Sequence, residues 1–419
     1  MSIFDPAYFL RHIGMPTLRL FVEHHPVREL LDIDWSQEEC SLPSRILGRL
    51  ELLADGLTDA SEEDYKKISS AIGFWFDDLR RCHLMANPLA VQEFQIACVN
   101  DEEALDAIAD LDDREKAMWM FTLRDKVFRD TELHLSFLAK TNGKFWKKHR
   151  IGAGHEVTKN RAKLEAFSNA VARLYKKTGA GKSTHIEVTH RKGTIQLTLY
   201  VEGPVTAFAH FTKNSFNRIT TRIALETALV YQPDSGIIET VVKGGAKVHK
   251  SVLQLFGEHV LGHPIKPEEI EPQRYRLNAL RDGLEPFEDW EPYGIRKVRL
   301  RRATFTPTGS GEGTFKIEAP SSEDQPDAMA IARQRLAVSH IFETEYDLAG
   351  ATIMVYPTEK IRRGHFSFNI YASGSSTIKN LPLKYQPAAQ AILRALNIID
   401  PEEALPEPET EVEEKAVAV

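Results

Sequence analysis

The sequence predicts an α+β protein: an acidic helical N-terminal domain, a hairpin-rich α+β region of two β-sheet/helix blocks, and a disordered acidic tail. Three observations carry that prediction. Apolar residues recur at helical spacing through the first third of the 419-residue chain. From about Ser183 the hydrophobic period switches to two, the mark of half-buried strands. Charge changes sign with the pattern. Residues 1–143 hold 15 Lys/Arg against 27 Asp/Glu, residues 144–399 hold 37 against 25, and residues 400–419 hold 1 against 8.

In residues 1–143 the clearest helix runs from Asp112 to Lys140. Ala117, Met120, Phe121, Val127, Phe128, Leu135 and Leu138 approximate one face, and only Arg124 breaks the stripe. Asp112 and Asp113 sit where a helix start favours negative charge. Polar or proline-containing breaks at Ser41–Ser44 and Ala86–Pro88 divide the remainder into several helices. Residues 144–182 form a basic junction followed by a helix.

The first β-rich block, 183–263, contains the strand pair THIEVTH and GTIQLTLYVEG. A longer hairpin, ITTRIALETALVYQPDSGIIETVVKGG, turns at Pro233–Gly236, and a helix runs from Lys247 to Leu261. Proline-rich residues 264–293 read as a connector. The second block, 294–399, pairs IRKVRLRRATF with GTFKIEA around Thr308–Gly311. A helix from Asp327 to about Phe342, strands ATIMVYP and HFSFNIYA, and a helix near Ala388–Leu396 complete it. Residues 400–419, dominated by glutamate and proline, have the composition of a disordered tail.

The 42% hydrophobic and 27% charged content belongs to the ordinary globular class, and no apolar run reaches the roughly 18–20 residues of a membrane span. Cys40, Cys82 and Cys98 are odd in number and far apart, which argues against a disulfide framework and for a reducing, cytoplasmic setting.

GAGKST at 179–184 looks like a phosphate-binding loop, but a P-loop needs a glycine where Lys176 stands and a strand-to-helix order. Here Leu164, Phe167, Val171 and Leu174 place a helix upstream, and HIEV places a strand downstream. The segment therefore reads as a helix stop at Gly179, with no nucleotide expected. EHVLGH puts His259 and His263 at metal-ligand spacing, but it lacks the H-E-x-x-H order, so neither metal nor cofactor is expected.

His210-Phe211-Thr212 and His365-Phe366-Ser367 each place a histidine beside a hydroxyl on one strand face. The pair resembles the arrangement of two-histidine phosphoesterases, in which one histidine is general base and the other general acid. HFSF matches that family's pattern in full, whereas HFTK departs from it at Lys213. The resemblance implies His210, Thr212, His365 and Ser367 as a catalytic set. The plainer reading is two strands with polar outer faces.

Three segments concentrate positive charge beside an aromatic or a loop. The first is Lys144, Trp146, Lys147, Lys148 and Arg150. In the second, strict alternation puts Lys297, Arg299 and Arg301 on one strand face, joined across the hairpin by Lys316. The third is Arg362 and Arg363, opening the strand that ends at Tyr371. These are candidate phosphate contacts, with Trp146 and Tyr371 as candidate stacking surfaces. The preferred expectation is a non-catalytic cytoplasmic nucleic-acid-binding or accessory protein, its acidic helical domain docking a protein partner and no membrane involved. A phosphodiesterase or nuclease and a scaffold subunit are the alternatives.

Overall fold

The computed structural model describes the chain except residues 1–3, 34, 36–40, 142, 144, 192, 213–214, 272–273, 283, 285–293, 309–312, 337–345, 362–363 and 400–419. The class is α+β, with helices concentrated in the N-terminal half and two antiparallel sheets following. The chain divides into two compact units, Met1–Glu271 and Pro272–Val419. The acidic helical segment and the first β-rich block thus share one unit.

Among the described residues eight α-helices open the first unit: α1 (Pro6–Leu10), α2 (Met15–His24), α3 (Leu42–Asp55), α4 (Glu62–Met85), α5 (Pro88–Ala97), α6 (Glu102–Ile108), α7 (Asp113–Leu123) and α8 (Asp125–Lys140). Side chains of Asp5, Ser61, Asn87, Asp101 and Asp112 accept from the orphan N–H groups that open α1, α4, α5, α6 and α7, contacts worth about 1 kcal/mol each. Asp112 and Glu115 form a reciprocal capping box, and Glu115 also accepts from the Gly14 N–H at 2.9 Å, pinning α7 to the start of α2. Trp75, Phe21, Leu18 and Leu79 fill the core between α2 and α4.

The long helix expected over 112–140 is two. Arg124 leaves the helical region (φ −134°, ψ 48°), and its guanidinium reaches Asp101 at 2.8 Å and lies over the Trp119 ring. The arginine that interrupts the apolar stripe is the residue at the break.

Next come β1 (Trp146–Arg150), α9 (Arg161–Leu174), β2 (Thr184–Arg191), β3 (Thr194–Thr212), β4 (Ser215–Gln232), β5 (Ile237–Val241), α10 (Ala246–Leu255) and β6 (Glu268–Glu269). One π-helical segment, Phe256–Leu261, extends α10. The strands form one antiparallel sheet in the order β2-β3-β4-β5-β1-β6. Both predicted strand pairs are present, and the β4–β5 hairpin turns at Pro233–Gly236. Leu197, Leu199, Leu229 and Tyr231 face Phe167 of α9 and Phe256 after α10. On the opposite face, Ala228, Val230, Val241 and Trp146 pack on Phe137 of α8. The sheet is therefore covered by helices on both sides.

The second unit contains β7 (Ile295–Pro307), β8 (Phe315–Glu318), α11 (Ala328–Leu336), β9 (Tyr346–Pro357), β10 (Phe366–Tyr371) and α12 (Gln386–Ala395). Its antiparallel sheet runs β10-β9-β7-β8. Leu300, Phe305, Ile353, Val355, Phe368 and Ile370 line the inner face against Met329 of α11 and Ile392 and Leu393 of α12. The expected tail, 400–419, lies outside the described residues.

Candidate nucleic-acid interface

The three predicted basic patches meet different fates. In the first, Lys144 lies outside the described residues, and the remainder is a strand with a neighbour on each side. Its register sets His149 opposite Glu269 and Arg150 opposite Glu268. Lys147 is ion-paired with Glu269. Trp146 is an anchor rather than a stacking surface: its indole N–H donates to Glu239 at 2.9 Å and its ring joins the Phe137 cluster. Lys148 is half-buried, and Arg150 is exposed.

The second patch departs most from expectation. A bulge between Leu300 and Arg302 breaks the alternation, so Leu300 and Ala303 both face the core. Arg299 is 4% exposed. It donates to the backbone carbonyls of Pro320, Ser322, Gln325 and Pro326 and approaches Tyr356 Oη at 3.3 Å. It holds the segment after β8 across the outer face and is closed to a phosphate. Lys297 donates to the Glu323 carbonyl at 2.8 Å. Arg301 and Arg302 share Glu318 at 3.3 and 3.0 Å. Lys316 is exposed opposite Thr304. The acids that quench this stripe arrive on the strand and segment that cover it.

Of the third patch, Arg362 and Arg363 lie outside the described residues. Tyr371 is 44% exposed at the end of β10. Ser367 and Asn369 face outward with it, as alternation predicts, and Asn369 accepts from Thr352 at 2.7 Å.

The candidate catalytic histidines occupy separate sheets, one per unit. His210 lies on β3 with Nδ1 3.3 Å from the Asn217 carbonyl, and the side chain of Thr212 lies outside the described residues. His365 precedes β10, its ring 5.8 Å from that of Tyr356, and Ser367 is exposed. His263 meets His155 at 3.1 Å rather than His259. Among the described residues no group of three or more His, Cys, Asp or Glu is arranged to hold a metal, and no helix is long and apolar enough to cross a membrane.

The most prominent surface was not foreseen. Strand β3 does not stop at Gly203-Pro204. The pair forms a bulge, and β3 continues to Thr212, paired among the described residues only with β4, in eight further registers from Val205↔Arg222 to Thr212↔Ser215. At Gly203 a Cβ would lie 2.0 Å from the Ile223 carbonyl oxygen, so only glycine fits. The result is a two-stranded ribbon extending about 24 Å beyond the bulge at about 3.4 Å per residue. Val205, Phe208, Phe211, Phe216, Ile219 and Ile223 are exposed on it. Near its tip the Phe211 and Phe216 rings meet edge to face at 5.2 Å. Residues 203–225 contain no aspartate or glutamate, while Lys213, Arg218 and Arg222 supply positive charge. That acid-free run is the signal that was available in the sequence.

GAGKST has a definite role at the ribbon's foot. The helix ends in a left-handed Gly179 (φ 77°), and the order is helix, turn, strand. Gly181 N–H donates to the Glu202 carbonyl at 2.8 Å, and Ser183 N–H donates to the Glu202 carboxylate at 2.9 Å. Arg222 binds the same carboxylate at 3.0 Å and the Gly179 carbonyl at 3.1 Å. The turn therefore clamps the ribbon's root, and it carries Lys176, Lys177 and Lys182 exposed beside it. Arg218 is exposed farther out and makes no ion pair among the described residues.

Compared with known proteins, the chain matches no protein-family model and no curated protein.

Proposed function

We propose that the protein is a non-catalytic nucleic-acid-binding or accessory protein whose basic β-rich half contacts phosphates, led by the β3–β4 ribbon and the GAGKST turn at its root. The observation that carries this reading is the acid-free, cationic ribbon. In the first two basic patches several cations already have carboxylate partners: Lys147 has Glu269, Arg296 has Glu323, and Arg301 and Arg302 share Glu318. The two carboxylates that bound the acid-free run are both engaged, Glu202 by Arg222 and the turn and Glu226 by Lys140. Lys176, Lys177, Lys182 and Arg218 remain to meet a polyanion, and arginine suits phosphate by its planar fork as well as its charge.

Fluorescence anisotropy with labelled nucleic acid across a salt series tests the proposal. Log affinity should fall linearly with log salt, with a slope of about −0.9 per phosphate neutralised on duplex DNA. Replacing Lys176, Lys177 and Lys182 together by alanine should remove about two to three units of that slope. Absence of binding at low salt, for single and double strands alike, overturns it.

A further inference from the structure

Resting on that reading, we infer that the β3–β4 ribbon is a groove-entering arm for duplex DNA: it lies in the major groove of the B form, with Phe211 and Phe216 leading. Three observations converge on this. The first is shape. Beyond the Gly203-Pro204 bulge, among the described residues, each strand has only the other as neighbour, and a two-stranded ribbon matches the roughly 12 Å width of the B-form major groove. The A-form groove of duplex RNA is too narrow and deep for it. The second is chemistry. The ribbon exposes Asn217, Arg218, Thr220 and Thr221, donors and acceptors suited to base edges, interleaved with apolar side chains suited to thymine methyl groups. Registers place Phe211, Phe216 and Arg218 on one face of it. The third is support. Glu202, Arg222 and the GAGKST turn lock the root, so the arm is presented on a fixed base with its lysines beside the flanking phosphates.

A hairpin exposing this much apolar surface also suits a lipid surface or a second copy of the chain. The 23 residues from 203 to 225 without an acid, and the cations around them, disfavour self-pairing, and the ribbon's width suits a groove rather than a flat lipid surface.

The test uses the full chain with a 30-base-pair DNA duplex, the matching RNA duplex and one DNA strand, at a salt concentration where binding is measurable. Wild type should prefer the DNA duplex about tenfold or more over both others, and saturating the minor groove with netropsin should leave its affinity unchanged. Phe211→Ser/Phe216→Ser should cost about tenfold on the DNA duplex with the salt slope unchanged, because the lost contacts are not to phosphate. Arg218→Ala should weaken duplex binding as well. All three positions are exposed, and an unchanged thermal midpoint verifies that each variant is folded. Wild-type binding that ignores the ribbon substitutions, that is equal on the single strand, or that netropsin abolishes overturns the arm while leaving the nucleic-acid reading intact. No binding to any nucleic acid, with capture by anionic phosphatidylserine vesicles or concentration-dependent self-association instead, overturns both.

Discussion

A single side chain decides how much of the second basic patch is surface. Arg299 fits the outward alternation of its strand, yet it is buried among carbonyls that the segment after β8 brings to it. No rule of strand periodicity reports a covering segment, so its burial was not legible from Arg296–Arg302 alone. Truncation strands those carbonyls away from water, and Arg299→Ala should destabilise the second unit by about 3 kcal/mol. Arg299→Lys should recover little, because an ammonium cannot span several carbonyls as a planar guanidinium does. Thermal unfolding of the full chain checks both, and a midpoint unchanged in Arg299→Ala would contradict the structural role. Salt-dependent binding should be untouched in the lysine variant, which separates Arg299 from the exposed cations of the ribbon. Trp146 carries the same lesson: an aromatic among lysines looks like a stacking surface until its indole N–H finds Glu239.

At the scale of elements, local signals were read well where one force dominated. The acidic helix start at Asp112–Asp113, the Gly179 stop and the Pro233–Gly236 turn are local backbone chemistry, and all are present, with Asp112 acting as the cap itself. Legibility failed where tertiary partners decide. Arg124 breaks a helix because Asp101 and Trp119 are there to receive it. Gly203-Pro204 reads as a strand end but acts as a bulge, because β4 continues to pair beyond it. The seam between α10 and the sheet was likewise invisible. Two buried histidines lie there: His249 on α10, 3.3 Å from Thr240, and His149 on β1, whose Nδ1 has no hydrogen-bond partner among the described residues. Burial is the main force holding both below the usual histidine value, with Lys147 reinforcing it at each and Glu269 opposing. The folded protein therefore takes up these protons less readily than the unfolded chain, which binds them near pH 6.5. Below about pH 7 the unfolded state holds more protons, so stability falls with pH, by up to about 1.4 kcal/mol per pH unit for each proton. Denaturant midpoints for the first unit should drop between pH 7.5 and 5.5. His149→Gln/His249→Gln should flatten that dependence, and an equally steep profile in the variant would place the titrating groups elsewhere.

At the scale of the whole chain, the charge asymmetry invites the idea that the basic half is simply neutralised by the acidic helices. The ion pairs between them argue otherwise. Glu93 on α5 pairs with Arg191 on β2, but Arg129 and Lys140 on α8 pair with Glu187 and Glu226 on the sheet. Two of these three bridges put the cation on the acidic side, so among the described residues these bridges do not neutralise the excess positive charge of the sheet that the helices cover. The other large reservoir of negative charge is 400–419, with eight acids against one base. If the chain binds nucleic acid as proposed, carboxylates joined to it would be electrostatic competitors of phosphate for its cations. Deleting 400–419 should therefore raise affinity for a DNA duplex several-fold at about 50 mM salt. The gain should shrink toward nothing at several hundred millimolar, where the Debye length falls to about 5 Å or less and charges no longer reach each other through solvent. The same deletion in a Lys176→Ala/Lys177→Ala/Lys182→Ala background should gain less, because the competed site has been removed. Equal affinity with and without the tail at low salt would mean that its charge acts on another partner, and the ribbon's cations would then stand open at all times.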